Sequence, residues 1–500
     1  MKNVLRQCVA AGLSILLILI PSGQPWAESQ ASAPARPQPR MTLRAYLQKP
    51  YVDLFELAPG LSFSPNEVSQ QRQAFKSGED SCRKRFSNHA KQHARQIEAA
   101  RADLKKQGSA LADAPRRDLH CRIQNLELLR SEAEMMAGHA IPTAYDNLNA
   151  KLDLLLQWPA QYRQTQAQIA DESYTKRRWG DVKDIGFREI ASGQRDDIKR
   201  GQQAVEELKR ASLLPPELDN KAIQDYVSSV AERVAKHSDL KVPLHIRVLQ
   251  SREINAFALP GGYLFVERGL LEAADDESQL AGVIAHELAH DTARHSAKLM
   301  KRATIAGIFY QAAQVAAILL TGGVAGIGLY YALQYGFYGL GLVLDLKLLG
   351  ISREYELEAD QLGIQYAWNS GYDTTGFIRF FDKMATKEGY VNGVSWFRTH
   401  PPFYERMIQA QREIMFMPRR GDQIVQTSAF EQMKKELAPI AAKAEKEEIG
   451  KPSLLVTREE GCNPPPKLEY KPGQPIEEVC NMPPRTLDDK RDEKKEASKP

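Results

Sequence analysis

The sequence predicts an α+β chain, mainly helical, in which a helical N-terminal domain precedes a domain built around a small β-sheet. Three observations carry this expectation. Residues 45 to about 180 place apolar side chains at helical spacing, as in "RQIEAARADLKKQGSALADAPRRDLHCRIQNLELLRSEAEMM". From about 185 the texture changes, and "PLHIRVLQ" and "NAFALPGGYLFV" read as short strands with Pro260-Gly261-Gly262 as a turn or bulge. Helical texture then returns in a His-rich run and in a polar segment from about Ser352. A chain of 500 residues is more than one ordinary core can use, so more than one domain is expected.

The elements follow in order. Lys2 and Arg6 precede an apolar run of twelve residues, Val9 to Ile20, and small residues follow it at Ala27, Ser29 and Ala31. That layout predicts a secretory signal peptide over 1–31 and export to the periplasm of a Gram-negative bacterium. Residues 32–44 are a Pro/Ala/Arg linker, and 45–180 are the helical domain, with a turn around Gly108 to Pro115. His89 and His93 stand four apart there, in charged surroundings that predict a solvated helix face. Residues 185–420 form the second domain and 421–484 a smaller region, while 485–500 are charged, aperiodic and expected to be disordered. The balance of 67 basic against 63 acidic side chains gives no case for a nucleic-acid surface. Five cysteines are present, and Cys8 would leave with the signal. In an oxidising compartment the remaining four are disulfide candidates. Cys462 and Cys480 bracket a Pro-rich loop and are expected to pair, with Cys82 and Cys121 left by elimination.

The chemistry concentrates in "AGVIAHELAHDTARH", residues 281–295. On a helix, residues i and i+4 differ by about 40° of azimuth, so His286 and His290 can point at one metal ion. Glu287 sits one step round, where it can reach an attacking water without ligating the metal; His-Glu-x-x-His carries this meaning in zinc proteases. His295 lies five residues beyond His290, about 140° away on a continuous helix, and is expected to be a supporting or surface residue. The third ligand is sought on a separate helix, where "SREYELEADQLGIQYA" offers Glu354, Glu356 and Glu358. Glu356 has Asp360 four residues on, on its own face, where a carboxylate could fix the tautomer of a ligand histidine. Glu354 and Glu358 point away from that face and are expected to be solvated.

Four segments, "INAFALPGGYLFVERGLL", "ESQLAGVIAHELAHDTARH", "SREYELEADQLG" and "RTHPPFYERM", together resemble the HtpX-type and CAAX-prenyl-protease-type zinc metallopeptidases, in the family's order. The resemblance covers about 185 to 415, and the exported layout is most similar to BepA-like periplasmic members. It implies a gluzincin-type fold and one zinc ion per chain. The family pattern Glu-x-x-Ala-Asp falls on Glu356, Ala359 and Asp360, which selects Glu356 as the third ligand beside His286 and His290. It further implies Glu287 as general base and protein or peptide substrates. His400 is the candidate donor to the oxyanion, with Arg406 a second contributor; His400 could instead approach the metal and block it. Asn255, Ala256 and Phe257 resemble the family's active-site edge, where an extended peptide could bind by strand addition. The resemblance implies hydrolysis of misfolded or misassembled envelope proteins, with an assembly factor of low proteolytic activity, within an envelope assembly complex, as the alternative. The flanking regions match no pattern of this family.

Between the ligand segments, residues 303–344 contain no charged side chain. Two spans of about 19 residues could fit, but the turn at Thr321-Gly322-Gly323 has no lysine or arginine to hold it in the cytoplasm. Helices that dip into a membrane or cover the active site are preferred over a two-span anchor, with a purely buried core hairpin as the remaining alternative. Membrane contact through this hairpin is the resulting expectation.

Overall fold

The structure is a computed structural model, and it describes residues 41–107, 112–173, 193–210, 214–252, 254–300, 353–387, 404–418, 420–449, 475–482 and 487. The signal segment, the apolar hairpin at 303–344, His400, Cys462 and the charged tail lie outside the described residues. No helix among the described residues is long and apolar enough to cross a membrane.

The N-terminal part is helical, as its apolar spacing predicts. Short helices α1 (Leu43–Leu47) and α2 (Tyr51–Leu57) lead into α3 (Pro65–Gln107), α4 (Asp113–Met135) and α5 (Ile141–Ala170). α3 begins with a reciprocal cap: the Ser64 amide donates to the Glu67 carboxylate at 2.8 Å and the Glu67 amide to Ser64 Oγ at 3.2 Å. Pro65 at the first helical position adds a pre-set φ. Phe75, Cys82, Phe86, Ala90, Ile97 and Ala100 recur every three to seven residues and are buried against α4 and α5. His93 lies on this buried face, only 5% exposed, with Nδ1 3.4 Å from Gln96 Oε1. The expected solvated face is therefore wrong for His93.

The second part brings α6 (Gln194–Arg210) and α7 (Lys221–Lys236), then β1 (His245–Leu249), β2 (Ala256–Leu259) and β3 (Tyr263–Glu267). The sheet order is β1-β3-β2, parallel for the first pair and antiparallel for the second. Helices α8 (Arg268–Ala273), α9 (Glu277–Thr292), α10 (His295–Met300), α11 (Arg353–Asn369), α12 (Thr375–Lys387), α13 (Tyr404–Phe416), α14 (Ser428–Ile449) and α15 (Ile476–Asn481) complete the described elements. Every residue of α9 is buried. Its N-terminus is capped by Asp276, which accepts from the Gln279 amide at 3.0 Å. α9 is thus an internal helix on which α7, α11, α12 and β2 pack.

From Leu43 on, the described residues pack as one unit. A continuous buried apolar cluster includes Leu47 and Trp158 from the helical part, Leu280 and Ile284 of α9, and Val479 near the end. Polar ties accompany it. The Tyr51 amide donates to Asp382 at 2.8 Å, and Arg412 Nε to Thr165 Oγ1 at 3.2 Å.

The disulfide pairing differs from the expectation. Cys82 of α3 is bonded to Cys480 of α15, their Cα atoms 5.2 Å apart across 398 residues of sequence. Arg85 holds the same segment, donating to the carbonyls of Cys480 at 2.8 Å and Met482 at 2.7 Å. Both expected pairings, Cys462–Cys480 and Cys82–Cys121, fall with this bond. Loop proximity in sequence does not bring two cysteines together when the chain end packs on a distant helix. Cys121 is disulfide-bonded as well. Peptide mapping under non-reducing conditions is expected to recover a Cys82–Cys480 cross-link; a Cys462–Cys480 peptide would refute it.

Candidate active site

Three helices converge on one buried point. α9 supplies His286, Glu287 and His290, α11 supplies Glu356 and Asp360, and α13 supplies Arg406. All six are 5% exposed or less. His286 Nε2 and His290 Nε2 stand 3.0 Å apart. Glu356 presents Oε2 to the first at 3.6 Å and Oε1 to the second at 3.4 Å. One ligand atom from each of the three residues lies within 4.8 Å of the others, which among the described residues is the one such group of His, Cys, Asp or Glu.

The helices reach this closeness through Gly363. It shares a face of α11 with Glu356 and Asp360, at i+7 and i+3. A Cβ at Gly363 would come within 2.9 Å of His286 Cα and N, so a larger residue would push Glu356 away from the histidines. Gly363 is not among the residues that the ligand spacing singles out. A glycine inside a helix, on the face of two carboxylates, was the available signal.

The electrostatics are set by one guanidinium. Arg406 donates through Nε and Nη2 to Asp360, both at 2.6 Å, and its Nη1 lies 3.0 Å from Glu356 Oε2. Burial would raise the Asp360 carboxyl, but Arg406 and His286 outweigh it and hold Asp360 below its ordinary value. His286 Nδ1 lies 2.9 Å from Asp360 Oδ1. Asp360 thus sits behind His286. The position expected for Arg406 does not hold: all three of its nitrogens engage Asp360 and Glu356, so it is a buried counter-ion and not an open donor for an oxyanion.

Glu287 is buried beside this group, one step round α9 from His286. Burial, then the Glu356 charge, pushes its carboxyl well above the usual carboxylate range, opposed by the Ala258 amide and by Arg406. That contact places β2 on the site. The Asn255 carbonyl accepts from the Glu267 amide at 2.9 Å, so Ala256 and Ala258 turn their backbone groups to the outer edge of the sheet. At Ala258 the carbonyl also accepts from Ser296 Oγ at 3.0 Å. The hairpin is tied down by Asp291, whose carboxylate accepts from the amides of Gly261 at 3.1 Å and Gly262 at 2.7 Å. Burial raises Asp291 to about 7 against the effect of those two amides. Both glycines have φ near +85°, at 84° and 89°, which suits this turn to glycine.

The expected edge residues separate by strand alternation. Ala256 is fully buried, and the Asn255 side chain is buried with both polar atoms lacking a hydrogen bond. Phe257 stacks on Phe265 at 4.9 Å and packs with Val205 of α6, so it contributes to that core and not to a surface toward α9.

His295 corrects the helical-wheel argument. α9 ends at Thr292, Arg294 adopts φ 60°, and α10 starts at His295. The break brings His295 back beneath His290 instead of carrying it round the helix. It is 1% exposed, with Nδ1 2.9 Å from His290 Nδ1 and Nε2 3.1 Å from Glu358 Oε2. Burial is the main cause that lowers its pKa to about 4, with the Glu358 hydrogen bond opposing. Glu358 is accordingly not merely solvated, whereas Glu354 is exposed.

Comparison with known proteins supports the metal reading. Residues 221–414 match the pattern described as Peptidase family M48. A 198-residue stretch is 28% identical to the beta-barrel assembly-enhancing protease of Escherichia coli (strain K12), covering 39% of this chain and 38% of that protein. A 187-residue stretch is 34% identical to the mitochondrial metalloendopeptidase OMA1 of Schizosaccharomyces pombe, covering 36% and 50%. The metalloendopeptidase OMA1 of Danio rerio is 30% identical over 234 residues, 46% of each chain. The chain therefore spans half or less of the length of these relatives.

Proposed function

We propose that the chain, whose residues 221–414 match the pattern of Peptidase family M48, is a zinc-dependent metalloendopeptidase with zinc held by His286, His290 and Glu356. The observation that carries this reading is the donor set itself. Two imidazole Nε2 atoms 3.0 Å apart, each also facing the same carboxylate, put three potential ligand atoms within 4.8 Å of one another. Two imidazoles with one carboxylate and an open position suit catalytic zinc. Zinc bound there supplies a Lewis acid that acidifies a water and polarises the scissile carbonyl.

The chain's own residues do the rest. Glu287 accepts the proton of the attacking water and returns it to the leaving amine. Asp360 holds the His286 tautomer, and Arg406 balances the carboxylates. The outward backbone of Ala256 offers an extended peptide an edge to pair with, beside the buried Asn255. His400 serves as oxyanion donor or as an occluding ligand.

Placement in the Gram-negative periplasm, and action on misfolded or misassembled envelope proteins, rest on the signal-like N-terminus and on likeness to the assembly-enhancing protease. Contact with a membrane through 303–344 rests on the composition of that run. The division into a helical domain at 45–180, a peptidase domain at 185–420 and a C-terminal region rests on the change in texture.

The test is direct. The purified chain should bind one zinc and cleave an unfolded protein, lose activity with a chelator and regain it with zinc. Absence of cleavage by the zinc-loaded chain would sink the proposal. Glu356→Gln is expected to lower zinc occupancy, while Glu354→Gln at the exposed neighbouring turn leaves it unchanged; the reverse outcome would show that the ligand register is wrong.

A further inference from the structure

We propose that His295 is a positioning residue for His290, fixing the tautomer with which that side chain holds the metal, and that Glu358 anchors His295 in turn. This rests on the zinc reading above and adds a role for two residues outside its ligand set. The two Nδ1 atoms of His290 and His295 are 2.9 Å apart, and their rings meet edge-on at 72°. At that separation one nitrogen carries the proton and the other accepts it. His290 directs Nε2 toward His286 and Glu356, so in the ligating form its proton sits on Nδ1. His295 therefore accepts at Nδ1 and carries its own proton on Nε2. That proton faces Glu358 Oε2 at 3.1 Å. Every donor in the chain His290–His295–Glu358 then meets an acceptor.

Local structure is arranged around this contact. On an unbroken helix His295 would lie about 140° from His290. The left-handed residue Arg294 turns the chain instead, a conformation unfavourable for a non-glycine residue. Asp197 secures it, accepting from Arg294 Nε at 2.6 Å and Nη2 at 3.0 Å. Tyr355 stacks on the His295 ring at 4.3 Å and 13°. The two ligand histidines thus have unlike supports. His286 meets a carboxylate already engaged by Arg406, whereas His290 meets a second imidazole whose far side reaches Glu358, its side chain 22% exposed.

Three full-length variants separate this role from packing. His295→Phe keeps the ring, its burial and the stack on Tyr355 but removes the acceptor. His295→Asn keeps an amide oxygen near the place of Nδ1. Glu358→Ala removes the outer anchor at a part-exposed position where folding is least at risk. Zinc dissociation constants are measured by competition with a chromophoric chelator, with circular dichroism as the check on folding. His295→Phe is expected to weaken zinc by about 10- to 100-fold, the range for lost support of a ligand histidine. Asn should recover most of that loss, and Glu358→Ala should fall between wild type and Phe. Folded His295→Phe or Glu358→Ala chains that bind zinc as wild type does would overturn the proposal. A wild-type chain that takes up no zinc would overturn the metal site and this role with it.

Discussion

Replacing Glu287 with Gln is expected to lower peptide hydrolysis by about 10²- to 10⁴-fold, the span of general acid–base contributions, while zinc remains bound. Glu287 is buried, adjacent in sequence to His286, and points with it toward Glu356 and Arg406. Glutamine has the same shape and can still accept from the Ala258 amide, so neither the hairpin nor the metal set should move. What is lost is a group that can take a proton. Burial and the Glu356 charge raise the Glu287 carboxyl above its ordinary value. The measurement is kcat against zinc stoichiometry on the same preparation. A variant that keeps both activity and zinc would remove Glu287 from the chemistry and end its assignment as the general base. A variant that loses zinc would show Glu287 among the ligands.

Arg406→Ala is expected to cost about 3–5 kcal/mol of stability, the usual result of removing one partner from a buried ion pair. Asp360 and Glu356 are each 1% exposed, and Arg406 is 1% exposed between them. Without the guanidinium two carboxylates, with Glu287 nearby, stay buried and mutually repelling. The loss should be smaller with zinc bound, since a dication beside Glu356 replaces part of the missing charge. Urea unfolding of the variant, with and without zinc, checks both statements. Loss of activity with stability changed by less than about 1 kcal/mol would point instead to the oxyanion role first expected for Arg406, because an exposed donor contributes little to folding.

How much of this was legible can be followed residue by residue. The helical texture of 45–180, the short strands, and the pairing of His286 with His290 all depend on periods of 3.6 and 2, which the chain carries locally. Selecting Glu356 needed the neighbouring Asp360 and the resemblance, because spacing alone admits Glu354 and Glu358. His295 was misjudged because a helical wheel assumes the helix continues, and nothing local announces a left-handed arginine at 294. Arg406 was assigned to a developing charge because its nearness to Asp360 arises only when α13 packs on α11.

The disulfide shows the same limit from the other side. Cys462 and Cys480 look like partners because a short loop joins them, yet Cys480 is bonded to Cys82 of α3. The sequence by itself determined which elements form and which helix carries the metal-binding pattern, since propensity and amphipathic period act over a few residues. Tertiary structure alone decided what stands behind each ligand: Arg406 and Asp360 behind His286, and His295 and Glu358 behind His290. Those contacts bring together side chains between 5 and 74 residues apart in sequence, and burial is what makes each of them matter. Charges and imidazoles that would be indifferent in water must find partners once α9 is enclosed on every side.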